Sequence, residues 1–388
     1  MARSDADHGA HSGHKDGIRL GRIAGIPVYL AYSWFVIALF IVISNGPPLL
    51  AVAPGLGPAA YLVAFAYAVL LALSVLVHEL AHAFSARMFG WPTDRIVLNL
   101  WGGHTQFESF TASPGRSVIV ALAGPAANFL LAGAAWLLVD AHVFSGVADR
   151  LLNITMWVNF LIGVFNVLPG LPLDGGRLVE SAVWKATGSQ EKGTIAAGWT
   201  GRGIVVALLA WFIVLPWLRG ESLDFAQTII AILVCGFLWL GASSAISQAA
   251  MRSRLRFVNA GALAEPAVGV PDTASVADAL RLSPEGRPAV VVQYPDGRPR
   301  AWVVPSSALA VPPARQSTTP VTAVAAALAP GAYVPRTAGG QELIQYLAHL
   351  EGGEYAVVDD SGAVTGLLRQ QAVVSAITGK DARRSGRP

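Results

Sequence analysis

The chain has 388 residues, 54% of them hydrophobic and only 13% charged, with a net charge of +3. That balance excludes a large soluble enzyme and favours a membrane protein, and so modest a charge gives no support to nucleic-acid binding. The single cysteine, Cys235, excludes an intrachain disulfide and a cysteine metal cluster, and is read as a small packing residue.

Residues 1–20 read as a flexible polar tail, too long before the first apolar run for a cleavable signal peptide. Its His8, His11 and His14 are read as part of that tail rather than as a metal site. Six spanning segments follow, at Val28–Ser44, Ala59–Met88, Ser117–Val139, Leu151–Leu168, Ile204–Leu218 and Phe225–Ile246. A bilayer asks for about 20 apolar residues, so the second, third and sixth are the firmest; the fifth is short and carries Pro216. "NGPPLLAVAPGLGPAA" reads as the loop between the first two.

The second segment ends in "LSVLVHELAHAFSARMFG". An ionisable side chain at the bilayer centre costs about 2.5–3.5 kcal/mol even on the lenient insertion scale, so His78, Glu79 and His82 need compensation. The two histidines are four apart and share one helix face. Both imidazoles can then reach one zinc ion at about 2.0–2.1 Å, while Glu79 points aside and can take a proton from an attacking water. A bland alternative, two core histidines satisfied by hydrogen bonds, fits a soluble helix better than a membrane one. A third ligand is expected at similar depth. "FNVLPGLPLDGGR", where the fourth segment runs out, offers Asp174 among prolines and glycines that prevent a regular helix. Two histidines and one carboxylate leave a coordination position open, as a catalytic zinc site requires. His104 reads as a water-facing loop residue; His142 and His349 receive no role.

After Arg256 the composition changes. The order helix, strand, turn, strand, helix occurs around Val276–Leu309 and again around Gln341–Thr378, with "YPDGRPR" and "DDSGAV" as hairpin turns. "PSSALAVPPARQSTTP" reads as the linker between the halves. Lys and Arg cluster in the N-terminal tail, after the second and fourth segments and after the sixth, which places both termini in the cytoplasm of a multi-pass cell-membrane protein.

"HELAH", "NVLPGLPLDGGR" and the six-span layout together resemble the site-2 protease family of intramembrane zinc metalloproteases, over about residues 21–251. The tail, residues 257–380, resembles a tandem pair of CBS domains, chiefly through "YAVVDDSGAVTGLLRQQAVV". The fold expected is thus a polytopic α-helical membrane protein with a C-terminal cytoplasmic α+β CBS-like module. The resemblance implies one Zn2+ per chain on His78, His82 and Asp174, with Glu79 as general base. It also implies substrate-positioning roles for Asn166, for Asn128 in "LAGPAANF", and for Gly102 and Gly103 in the membrane-entering hairpin "LWGGHTQF". Gly124 in the same third-span motif implies close helix packing. The expected activity is hydrolysis of a peptide bond in or near a transmembrane helix, as in regulated intramembrane proteolysis. The implied partners are the lipid bilayer and a single-span membrane protein such as an anti-sigma factor. A homodimer through the tail is a further partner, and no nucleic acid is expected. In the CBS family a Thr or Ser followed three residues later by Asp holds an adenosine ribose; here the pairs are Pro305 with Ala308 and Arg369 with Ala372. The tail is therefore read as structural, dimerising or regulatory. A catalytically silent zinc-containing scaffold or sensor is the alternative function, disfavoured by an intact Glu79, and a metal transporter ranks last.

Overall fold

The computed structural model describes residues 17–100, 102–107, 112–220, 222, 225–285 and 287–379, so the histidines of the N-terminal tail lie outside the described residues. Its contacts divide the chain into Met1–Ser247 and Gln248–Pro388.

The first unit is organised around helix α2, Ala59–Met88. Ala60, Ala64 and Ala68 recur every fourth residue and are at most 1% exposed, so the backbone of α1 (Trp34–Val52) can approach closely. Trp34, Ala38 and Leu49 fill that contact from the α1 side. Farther along, the same helix buries Ser74, His78, Glu79, His82, Ala83 and Ala86 instead. Helices α3 (Pro114–Asp140) and α4 (Val147–Val167) complete the surroundings of α2. The turn Leu168–Gly175 leads into α5 (Gly176–Thr187), then α6 (Gln190–Leu209), a π turn at Ala210–Val214 and α7 (Leu215–Leu218). Helix α8 spans Phe225–Leu255. Six helical stretches among the described residues are long and apolar enough to cross a membrane. Their outward faces carry Leu62, Leu130 and Leu240 at about 70% exposure or more, a surface suited to lipid and not to water.

A four-stranded sheet lies beside α2: β1 (Ile18–Ile23), β2 (Ile26–Leu30), β3 (Thr93–Asn99) and β4 (Gly102–Phe107), in that order. β2 and β3 are parallel, with Val28 opposite Ile96; β3 and β4 form an antiparallel hairpin. Ile26, Val28, Ile96 and Leu98 pack on Ala83 of α2.

Four expectations need correction. The first span does not begin at Val28, because Ile26–Leu30 is a strand whose alternate residues bury against α2. Its helix runs instead to Val52, through the expected loop and its Pro47 and Pro48, because Leu49 packs on α2. The tail ends sooner than residue 20, since β1 starts at Ile18 and pairs with β2. The fifth span starts at Gln190, well before Ile204; the buried positions ahead of Ile204, Gly193, Ala197, Gly198 and Gly201, are small rather than bulky, and a π turn precedes Pro216.

The second unit holds a seven-stranded sheet. After the short helix α9 (Ala260–Leu263) come β5 (Glu265–Pro271), α10 (Val276–Leu282), β6 (Ala289–Gln293), β7 (Pro299–Val303), α11 (Pro305–Leu309), α12 (Pro313–Gln316) and β8 (Ala325–Ala327). The second half runs β9 (Tyr333–Pro335), α13 (Gly340–His349), β10 (Glu354–Val358), β11 (Val364–Arg369) and α14 (Gln370–Thr378). The strand order β8-β7-β6-β5-β11-β10-β9 places the halves side by side, each with its own core, one around Val276 and Val292 and the other around Leu343 and Val357. Ser275 caps α10 in a reciprocal box with Asp278. The expected linker contains α11 and α12, because Ala308 is buried in the first core.

Candidate metal centre

His78 and His82 lie one turn apart on α2, and the turn after α4 brings Asp174 to both. His78 Nε2 is 2.9 Å from Asp174 Oδ2, His82 Nε2 is 3.1 Å from the same oxygen, and the two Nε2 atoms are 3.0 Å apart. The three side chains are the group of His, Cys, Asp and Glu among the described residues whose ligand atoms converge for a metal. The turn is fixed at several points. Leu171 N–H donates to Ala197 O of α6 at 3.0 Å, and Gly175 N–H donates to Asn166 O at 2.6 Å. A Cβ on Gly170 would fall 2.7 Å from Gly201 N, so the loop sits on α6 only because both positions lack one.

The donor chemistry fits zinc. His82 Nδ1 is 2.7 Å from the carbonyl of Val120, which can only accept, so in the neutral imidazole that nitrogen carries the hydrogen and Nε2 is left bare to ligate. His78 Nδ1 meets Asn128 Oδ1, again an acceptor, so in the neutral ring its Nε2 is bare as well. Two imidazole lone pairs and a carboxylate oxygen thus face one another at about 3 Å, an arrangement that a cation stabilises. Ligands at about 2.0–2.1 Å from a tetrahedral ion stand about 3.3 Å apart, close to these spacings. Gly124 of α3 makes the cluster sterically feasible. A Cβ there would lie 2.7 Å from His78 Nε2 and from His78 Cε1.

Glu79 is 7% exposed and lies outside the ligand triangle. Thr105 Oγ1 on β4 donates to Glu79 Oε2 at 2.7 Å. Gly103 lets that strand close on α2, since a Cβ there would lie 2.7 Å from Glu79 Cγ. A cavity of about 510 Å³ opens over His78, Glu79 and Asp174, lined by the apolar Val75, Leu161, Phe165 and Phe237 and by Asn166, Gly102 and Gly103. A second, of about 210 Å³, reaches Glu79, His82 and Asp174 past Ser117, Thr105 and Arg177. β4 is the edge of its sheet among the described residues.

Asn166, Gly102 and Gly103 line the cavity. Asn128 does not. It is fully buried, with Oδ1 on His78 and Nδ2 donating to Asn159 Oδ1 at 2.7 Å, because the motif turns its side chain towards α2 and α4 rather than the cavity. His104 lines the smaller cavity, with its ring against Asn99 and Gln106. Thr105 was not anticipated; its place two residues beyond Gly103 on an edge strand was the available signal.

The profile of peptidase family M50 matches residues 66–147 and 140–210. Rip3 of Mycobacterium tuberculosis is 31% identical over 385 residues, covering 94% of this chain and 93% of Rip3. The Synechocystis sp. protein sll0528 is 33% identical over 188 residues, which is 48% of this chain and 50% of that relative. Among solved structures, the site-2 protease from Methanocaldococcus jannaschii is 24% identical with a TM-score of 0.42, covering 59% of this chain and 94% of that one. The CBS domain of a bacterial CNNM/CorC family Mg2+ transporter is 18% identical with a TM-score of 0.27, covering 41% of this chain and 98% of that one.

Proposed function

Because the chain belongs to peptidase family M50, the site-2 type of zinc metalloprotease, we propose that it hydrolyses a peptide bond within or beside a transmembrane helix of a single-span membrane protein. The observation that carries this reading is the convergence of three bare ligand atoms beside a buried carboxylate, at the floor of a cavity flanked by an edge strand.

In this reading His78, His82 and Asp174 hold the metal, and Glu79 is the base. Zinc, when bound, polarises the scissile carbonyl and acidifies the attacking water. Thr105 occupies Oε2 of Glu79, which leaves Oε1 to take the water's proton and return it to the leaving amine. A transmembrane substrate has its carbonyls engaged in its own helix and must unwind before attack. β4, with Gly102 and Gly103, offers an edge to the unwound segment, and Asn166, which lines the same cavity, holds it there. The membrane-embedded protease corresponds to residues 21–251 and the CBS-like pair to 257–380. The clustering of Lys and Arg beside alternate loops supports cytoplasmic termini in the cell membrane. The same reading assigns the protein a role in regulated proteolysis, with the tail as the regulatory or dimerising part.

The test is co-expression with single-span membrane proteins. Wild type should yield a chelator-sensitive fragment, and Glu79→Gln, which nearly preserves volume, should yield none while retaining zinc. Cleavage by Glu79→Gln at the wild-type rate would remove Glu79 from the mechanism.

A further inference from the structure

Asn159, at the middle of α4, touches none of the three ligand atoms, is fully buried, and belongs to no motif of the site. It closes a run of hydrogen bonds that crosses three helices. Asn159 Nδ2 donates to Thr155 O at 2.8 Å and to Ser74 Oγ at 2.9 Å, while Ser74 Oγ itself donates to Leu70 O at 2.8 Å. Asn159 Oδ1 accepts from Asn128 Nδ2, and Asn128 Oδ1 faces His78 Nδ1.

The direction of this run is set at its far end. The carbonyls of Leu70 and Thr155 can only accept, so the amide nitrogen of Asn159 must point towards them and its oxygen towards Asn128. That oxygen requires the amide nitrogen of Asn128, which turns the Asn128 oxygen to His78. His78 then carries its hydrogen on Nδ1 and presents a bare Nε2. We infer that Asn159 is a positioning residue for the metal site, fixing the tautomer of His78 through Asn128. With Asn159 apolar, the Asn128 amide is free to flip, and its NH2 group would then meet Nδ1 and place the hydrogen on Nε2, where it blocks ligation. His82 needs no such relay, because a backbone carbonyl holds its Nδ1 directly. Outer partners of metal-binding histidines typically change affinity by about 10–100-fold when lost.

The inference rests on the assignment of His78 as a ligand, and the experiment separates the two. Zinc affinity of the full-length protein in detergent is measured by chelator competition, and the ligand field by the absorption bands of the cobalt-loaded form. Asn159→Leu should weaken zinc by at least about 10-fold and alter the cobalt bands. In an Asn128→Ala background the same change should cost nothing further, because its route to His78 is already cut. Wild-type zinc affinity in folded Asn159→Leu, or losses that add in the double variant, would overturn the relay. His78→Ala with undiminished zinc would instead overturn the site itself. Should Asn159→Leu not fold, nitrogen-15 NMR of histidine-labelled, metal-free wild type decides. His78 Nδ1 should carry a hydrogen; a bare Nδ1, with the ring hydrogen on Nε2 alone, would refute the inference.

Discussion

Replacing Gly124 by alanine adds one methyl group, and the structure says where it goes. The new Cβ would fall against His82 Nε2 and lie 2.7 Å from His78 Nε2, whereas ordinary contact begins at 3.4 Å, so restoring such contact moves the His78 imidazole or the α3 backbone by about 0.7 Å. A metal site tolerates about 0.2 Å in its bond lengths, so a shift several times larger removes His78 from the ligand set. Overpacking of this kind costs about 1–3 kcal/mol, which a bundle of six spans can absorb. The variant should therefore fold, carry far less than one zinc per chain and cleave nothing. Gly133→Ala is the control on the same helix, since a Cβ there meets nothing within 4 Å, and it should keep both metal and activity. Metal analysis of the purified proteins reads the outcome. Near-stoichiometric zinc in Gly124→Ala would show that the two histidines do not approach α3 as described, and the metal-site assignment would fall with it.

Two further variations probe other parts of the chain. Thr105→Val keeps the shape of the side chain but removes the hydroxyl that donates to Glu79 Oε2; a hydrogen bond to a charged group contributes about 1.5–3 kcal/mol, so cleavage should slow by roughly 10–100-fold with zinc content unchanged. An unaltered rate would mean that Thr105 does not orient the base. In the tail, Arg369 lies over Trp302 and reaches Glu265, and the cleft they share with Ala308 encloses about 30 Å³, room for no more than about two waters. Titration of the full-length protein with ATP, ADP and AMP should therefore give no binding heat, and micromolar affinity for any of them would show that the cleft opens to nucleotides.

The chemistry of this chain is more legible in its sequence than the scaffold that positions it, and the reason is physical. His78, Glu79, His82 and Asp174 stand out because each is expensive in an apolar setting, and the structure brings the two histidines and Asp174 within hydrogen-bonding distance of one another, with Glu79 alongside. In the tail, strand alternation and Asp-Gly or Ser-Gly turns mark the repeated halves directly. What escapes is decided by pairing. "IPVYL" is short and apolar and fits a span or a strand equally well; β3, some sixty residues later in the chain, makes it a strand by supplying Ile96 opposite Val28. The start of α6 is hidden for the opposite reason, because its buried face is glycine and alanine and carries no hydrophobic signal. Asn128 and Thr105 could be noticed but not aimed: a polar residue in a span must be satisfied, yet whether it faces the cavity or a ligand's far nitrogen depends on the helix opposite. Asn159 makes the point most directly. It stands among Trp157, Phe160 and Leu161 with nothing local to distinguish it, and its meaning comes from Ser74 on another helix, 85 residues earlier. In a membrane interior each polar side chain needs a partner, and across α2, α3 and α4 one run of buried polar groups supplies such partners in sequence. It leads from Leu70 and Thr155 through Ser74, Asn159 and Asn128 to His78, and it ends at the atoms that would hold the metal.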